Sequence, residues 1–289
     1  MLERTLGVAR RHRAKILFTA ALAAFAGHAL ATDLHESAMR VPVTDHGDTV
    51  TIEVTVFKPD GAGPFPIAVL SHGSPRSASA RRASGRVRMP TQAEPFVAMG
   101  FAVLVPTRRG YGDSGGRWSE GYGSCAHPHY YSAGLASAVD LRAAVDAVRG
   151  EPWADAHRVL LVGQSAGGFG SVAASSLPFE GLAGVVNFAG GRGSLASDRV
   201  CGEPRLVDAM ARYGSAARVP ELWIYSANDR FFAPQLARRM YLAFVAAGGR
   251  AEYVQAPASG LDGHGYFMRA VDDWAPRVAA FVRRIGLVH

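Results

Sequence analysis

Short apolar runs alternate along the chain with longer stretches whose apolar residues recur every three or four positions. Residues 50–57 alternate polar and apolar side chains, the pattern of a half-buried strand. Runs at 67–70, 101–105, 159–162, 185–188, 222–225 and 251–254 are short and mostly β-branched or aliphatic, and read as further strands. Between them, 92–99, 133–148, 168–176, 234–247 and 270–285 read as helices. In 133–148 the apolar positions 135, 136, 139, 143 and 147 keep close to a 3.6-residue period. Strand–helix alternation predicts a mainly parallel sheet with helices on both faces. One or two antiparallel strands near residues 40–57 would precede it. No repeat, low-complexity segment or domain-separating linker interrupts the pattern.

The first 31 residues depart from it. Arg4, Arg10, Arg11, Arg13 and Lys15 stand against one acid, Glu3. An apolar run at 16–26 follows, and then Ala29-Leu30-Ala31. Basic start, short apolar middle and small-x-small end are the parts of a secretory signal peptide, expected to be cut after Ala31. The run is shorter than the about 20 apolar residues a membrane span needs. A retained anchor and a cytosolic helix are the alternatives, and Arg10-Arg11 is a weak twin-arginine candidate. The expected arrangement is a signal at 1–31 and one domain at 32–289, periplasmic or secreted, without stable membrane insertion after cleavage.

Composition then matters in two ways. Of 289 residues, 48% are hydrophobic and 19% charged, which excludes a disordered chain and leaves ample material for one large core. The formal charge of +7 at first suggests a polyanionic partner. Without residues 1–31, 26 basic and 23 acidic residues remain, a net +3 over 258 residues. No nucleic-acid partner is therefore expected, and the oligomeric state is left open. The nearest basic cluster, Arg81, Arg82, Arg86 and Arg88, reads as a solvated loop. Cys125 and Cys201 are the sole cysteines. Export favours joining them, the alternative being two separate buried thiols.

The strongest chemical motif is Gly163-Gln164-Ser165-Ala166-Gly167. It follows an apolar strand and precedes a small-residue helix, the context that a G-x-S-x-G nucleophile turn requires. Glycines two positions either side of the serine permit so tight a turn. The hydroxyl then stands at a helix N-terminus, where free N–H groups favour developing negative charge. A serine needs a base, and the base an orienting acid. Downstream of Ser165 the histidines are His264 and the C-terminal His289. His264 lies between Gly263 and Gly265, in a loop after the last predicted strand, and is the candidate base. Asp229 follows the 222–225 strand and is the candidate acid. Asp262 reads as a turn former, since Asp-Gly favours turns. Candidate oxyanion donors are the backbone N–H groups of Ala166 and of Ser74, the latter in His72-Gly73-Ser74-Pro75 after the 67–70 strand.

Together these residues resemble the α/β-hydrolase superfamily over nearly the whole chain after residue 31. Arg109-Gly110-Tyr111-Gly112-Asp113-Ser114-Gly115-Gly116 is similar to the R-G-x-G-x-S loop of its dienelactone-hydrolase-like and prolyl-oligopeptidase-like branches. The resemblance implies an α/β-hydrolase fold with a small cap or none. It also implies a cofactor-independent serine hydrolase acting on a small molecule. Dienelactone hydrolases themselves carry a cysteine nucleophile, whereas this chain has Ser165. A carboxylesterase is expected first. A peptidase or amidase with the same triad and a non-catalytic binding protein are the alternatives. Trp118, Tyr122, Phe231 and Phe232 are candidate pocket residues, with packing an equal reading for each. If Cys125 and Cys201 are joined, they pin the insertions around them into a fixed partial cap. His127-Pro128-His129 lacks an evident third ligand, and no metal is expected.

Overall fold

The apolar runs lie side by side in the computed structural model, which describes residues 1–2 and 34–288. The expected export signal at 1–31 lies outside the described residues apart from its first two, and His289 is outside them as well. The strands are β1 (Ser37–Asp45), β2 (Asp48–Phe57), β3 (Phe65–Ser71), β4 (Ala102–Pro106), β5 (Ala154–Gln164), β6 (Leu182–Phe188), the short β7 (Ser194–Ala196) and β8 (Arg199–Val200), β9 (Glu221–Ser226) and β10 (Ala251–Ala256). The helices are α1 (Ala78–Arg82), α2 (Pro90–Ala98), α3 (Tyr130–Asp146), α4 (Ala166–Ser175), α5 (Glu203–Gly214), α6 (Pro234–Ala246), α7 (Tyr266–Arg269) and α8 (Val271–Arg284).

Eight strands form one sheet in the order β1-β2-β4-β3-β5-β6-β9-β10. The β1–β2 hairpin closes through His46 and Gly47, both at positive φ, as a two-residue hairpin turn demands. β2 pairs antiparallel with β4, and every later neighbour in the sheet is parallel. Alternation along each parallel strand feeds two cores. Val159 and Leu161 of β5 pack with Leu141, Phe169, Met210 and Phe244 on one face. Leu160 and Val162 pack with Phe96, Trp274, Val278 and Phe281 on the other. This is the period-two side-chain rule applied to strands buried on both sides.

The chain winds outward in opposite directions from β3 and β5, which are neighbours. In open α/β sheets the crevice at the carboxyl ends of such a pair binds ligands. Ser71 at the end of β3 pairs with Gly163 at the end of β5, so the oxyanion loop and the serine turn leave the sheet together.

Helix α5 went unrecognised in the sequence pattern, although Leu206, Met210 and Tyr213 bury one stripe at helical spacing. The adjoining 189–202 stretch is rich in glycine and polar residues, which hid the periodic segment after it. Glu221 opens β9 fully buried, accepting from Ser175 Oγ and Trp223 Nε1, each at 2.6 Å. Burial pushes its carboxyl up to about 8.

Candidate active site

Ser165 sits between β5 and α4 at φ 57° and ψ −122°, a conformation disfavoured for a residue with a Cβ. Backbone bonds hold it there. Its N–H donates to Phe188 O at 2.9 Å, and its carbonyl accepts from Phe169 and Gly191 N–H at 3.0 and 3.2 Å. The turn closes because its glycines lack side chains. A Cβ on Gly163 would fall 2.3 Å from the Gly167 backbone, and one on Gly167 would fall 2.0 Å from Ser71 O.

The candidate base and acid come from the loops after β10 and β9. His264 lies in a single 3-10 turn, Gly263–Gly265, whose first N–H donates to Asn228 O at 3.0 Å. Asp262 Oδ1 accepts from the backbone N–H of His264 at 3.0 Å and of Arg230 at 3.1 Å. Asp262 therefore ties the two loops together, while Asp229 faces the ring. Asp229 Oδ2 is 3.1 Å from His264 Nδ1, and its Oδ1 accepts the N–H groups of Phe231 and Phe232 at 2.7 and 2.9 Å. A carboxylate can only accept, so Nδ1 carries the proton and Nε2 is left with a free lone pair. Phe231 stacks flat on the imidazole at 4.0 Å, and Phe232 meets it edge-on at 5.5 Å. Gln164 Nε2 donates to His264 O at 3.1 Å, linking the residue before the serine to the base. Ser165 Oγ itself makes no hydrogen bond among the described residues.

The oxyanion loop is set by His72, which is 8% exposed. Burial first, and Arg108 beside it second, push its imidazole down to about 3. The ring is thus neutral, with Nδ1–H donating to Gly73 O at 2.7 Å and Nε2 accepting Arg108 N–H at 3.2 Å. Gripping the Gly73 carbonyl turns the N–H of the same peptide unit, that of Ser74, the opposite way. Among the described residues no acceptor takes the Ser74 N–H. Ala166, as the first residue of α4, has no intrahelical acceptor for its own. Gly73 lies against the nucleophile, its Cβ position 3.4 Å from Ser165 Cβ.

A cavity of about 510 Å³ opens over Ser165, with Ser74 and Ala166 in its wall. Trp118 and Tyr122 from the β4–α3 connection and Phe231 and Phe232 from the β9–α6 connection also line it. Residues 191–195, after β6, form a further part of the wall. Cys125 and Cys201 are joined, with Cα atoms 5.1 Å apart, and so tie the two insertions. Tyr130 OH donates to Cys201 O, and Cys201 N–H donates to Gly193 O, which extends that tie to the cavity wall. His127 and His129 lie apart, beside Arg205 and Asp208.

Beneath the cavity is a charge cluster that sequence reasoning missed. Glu120, fully buried, accepts from Arg108 Nε, Tyr111 OH (2.7 Å), Ser137 Oγ (2.9 Å) and Arg192 Nη2 (2.8 Å). Burial opposes its charge, but Arg108 and Arg192 outweigh burial and hold it well below the ordinary carboxylate range. The next arginine, Arg109, pairs with buried Asp140 and with Asp45.

The basic cluster expected to be a solvated loop is so only in part: Arg82 and Arg88 are exposed, Arg86 is half-buried and Arg81 is buried. Arg81 is 8% exposed, on helix α1, with its guanidinium 3.7 Å over Trp118. Arg86 and Arg88 pair with Glu36. Arg76, Arg81 and Arg192 all line the cavity; sequence does not single out Arg76 or Arg192, and Arg81 reads there only as part of a solvated loop. One signal was available: Arg76 and Arg192 each directly follow a strand-end turn, His72-Gly73-Ser74-Pro75 and Ala189-Gly190-Gly191.

No curated protein sequence matches the chain. Among solved structures, a puromycin-hydrolysing peptidase of Mycobacterium tuberculosis superposes with a TM-score of 0.62 at 20% identity, over 89% of this chain and 40% of that one. An acylaminoacyl peptidase of Pyrococcus horikoshii gives 0.63 at 15% identity, over 90% and 43%. An esterase of Pyrococcus furiosus gives 0.58 at 16% identity, over 86% and 90%. The chain thus spans about two fifths of the length of those two peptidases and nearly all of the esterase. At such identities the likeness shows the shared fold. A family model described as X-Pro dipeptidyl-peptidase (S15 family) matches residues 48–246, well over half the chain and inclusive of β2 to α6. The chain therefore belongs to the S15 family, among the serine hydrolases of the α/β-hydrolase superfamily.

Proposed function

We propose that the protein is a carboxylesterase that cleaves small to medium esters through an acyl-enzyme. The observation that carries the proposal is the buried Asp229–His264 pair, with the His264 carbonyl held by Gln164, the residue that precedes a serine in a strained turn. Ser165 Oγ attacks the ester carbonyl while His264 Nε2 accepts its proton. The N–H groups of Ser74 and Ala166 receive the negative oxygen, and collapse of the intermediate expels the alcohol, which takes the proton from His264. Water, activated by the same imidazole, then releases the acid and restores the serine.

A second reading, an amidase or peptidase using the same residues, is favoured by the S15 family description and by the peptidases of similar fold. A fluorophosphonate probe separates catalysis from mere binding: it should label the folded wild type at Ser165 and leave Ser165→Ala unmodified. An unlabelled wild type would overturn the hydrolase mechanism. Matched p-nitrophenyl esters and aminoacyl anilides then divide the two readings, and faster anilide turnover would favour the peptidase.

We also propose export to an oxidising compartment, supported by the Cys125–Cys201 disulfide. N-terminal sequencing of protein recovered outside the cytoplasm should begin at Thr32.

A further inference from the structure

The charged side chains lining the cavity over Ser165 are arginines: Arg76, Arg81 and Arg192, with no aspartate or glutamate among its lining residues. Neither Arg76 nor Arg81 has a carboxylate within salt-bridge distance among the described residues. Arg76 donates from Nε to Ser194 O at 3.0 Å and from Nη2 to Ser194 Oγ at 2.9 Å, and lies 4.0 Å over the Phe231 ring. Arg81 donates only from Nη1, to Pro75 O and Arg76 O, and lies over Trp118. Stacking and hydrogen bonds fix both guanidinium planes while leaving Nη1 of Arg76 and Nε and Nη2 of Arg81 without acceptors among the described residues. Arg192 is 5% exposed, and its buried Nε has no hydrogen-bond partner.

Arg192 is paired with Glu120 and Arg76 is exposed, but Arg81 is buried with no counter-ion among the described residues, which is costly unless a ligand supplies the charge. Planar, prepositioned arginines match a carboxylate. Glu120, beneath the cavity, already has both oxygens engaged by Arg108, Arg192, Tyr111 and Ser137. Among the described residues lining the cavity, a substrate ammonium therefore meets no carboxylate.

We propose that the substrate carries a carboxylate, received by Arg81 and Arg76, on a part of the molecule remote from the scissile carbonyl. The proposal rests on Ser165 being the nucleophile, and it deepens that reading from esters in general to anionic half-esters and their like. Matched substrates test it in both halves of the molecule. On the acyl side these are monoethyl adipate, ethyl hexanoate and ethyl 6-aminohexanoate. On the alcohol side they are 4-acetoxybenzoate and 4-acetoxybenzamide. The expected result is a kcat/KM at least about tenfold higher for the anionic member of one set, carried by KM and reduced by added salt. The anionic-to-neutral ratio should fall toward one in Arg81→Gln and in the exposed-site variant Arg76→Gln. Binding of adipate to Ser165→Ala, followed by calorimetry, gives a readout independent of turnover. Should Ser165 be labelled by fluorophosphonate while neutral or cationic members are preferred, the inference falls and the hydrolase reading stands. An unlabelled wild type overturns the hydrolase reading. In that case absence of saturable adipate binding at millimolar concentration overturns the anion site as well.

Discussion

At the scale of single residues, Asp229 has two separate duties that one substitution divides. Its Oδ1 accepts the Phe231 and Phe232 N–H groups, and its Oδ2 faces His264. In Asp229→Asn the amide oxygen remains opposite the two N–H donors, because an NH₂ there would meet them head-on. The NH₂ then points at His264 Nδ1 and forces the ring proton onto Nε2, the wrong tautomer for a base. The fold should survive by circular dichroism while kcat drops about a thousand- to ten-thousand-fold. The candidate triad was legible because each member stands in a local context: glycines around Ser165 and His264, a strand end before Asp229. Arg81 was not, since its role depends on Trp118, 37 positions away, and on a cavity wall that no spacing rule encodes. Asp262 shows the converse: proximity in sequence to His264 gave it the duty of tying loops.

Among elements, the β5–α4 junction tolerates no extra atom. Gly167→Ala would place a methyl 2.0 Å from Ser71 O, which is backbone of the neighbouring strand and cannot swing aside. Chemical denaturation should register a loss of about 3 kcal/mol or failure to fold. Strand β9 has a pH-dependent weakness. Glu221 is raised to about 8 by burial, from an ordinary value of 4.5. Between those values the folded chain retains a proton that the unfolded chain has released, so stability declines as pH rises through that window. Glu221→Gln can keep both hydrogen bonds, its carbonyl accepting from Trp223 and its NH₂ donating to Ser175. Its melting temperature should exceed the parent's above about pH 8, with the gain vanishing near about pH 4. The longer strands and the long helices other than α5 announced themselves by period, whereas β7, β8 and α1 are too short to show one. Such short elements form because the surrounding molecule holds them.

For the whole molecule, the disulfide spans 76 positions and joins the walls built after β4 and after β6. Cross-linking a loop of that length restricts the unfolded chain by about 4 kcal/mol at most. The double variant Cys125→Ala with Cys201→Ala should therefore melt about 10 °C lower. It should also lose selectivity among substrates that differ in the part lying against Trp118 and Tyr122. Unchanged selectivity in a folded double variant would show that the wall stands without its clamp. The fold class could be read from alternation alone, because burial on both faces of a parallel sheet leaves a mark on every strand. The cavity could not, since its lining comes from separate stretches of chain whose meeting is decided by the sheet order.

The later half of the segment between β4 and α3 is anchored at Glu120, in its ionic nest, and at Cys125, in the disulfide. Trp118, Gly121, Tyr122 and Gly123, which lie around those anchors, look into the cavity. A lineage that keeps the two anchors can vary the residues around them and admit new molecules without disturbing the serine turn. Diversification of diet would then be written in a short irregular stretch, and the sheet would be inherited unaltered.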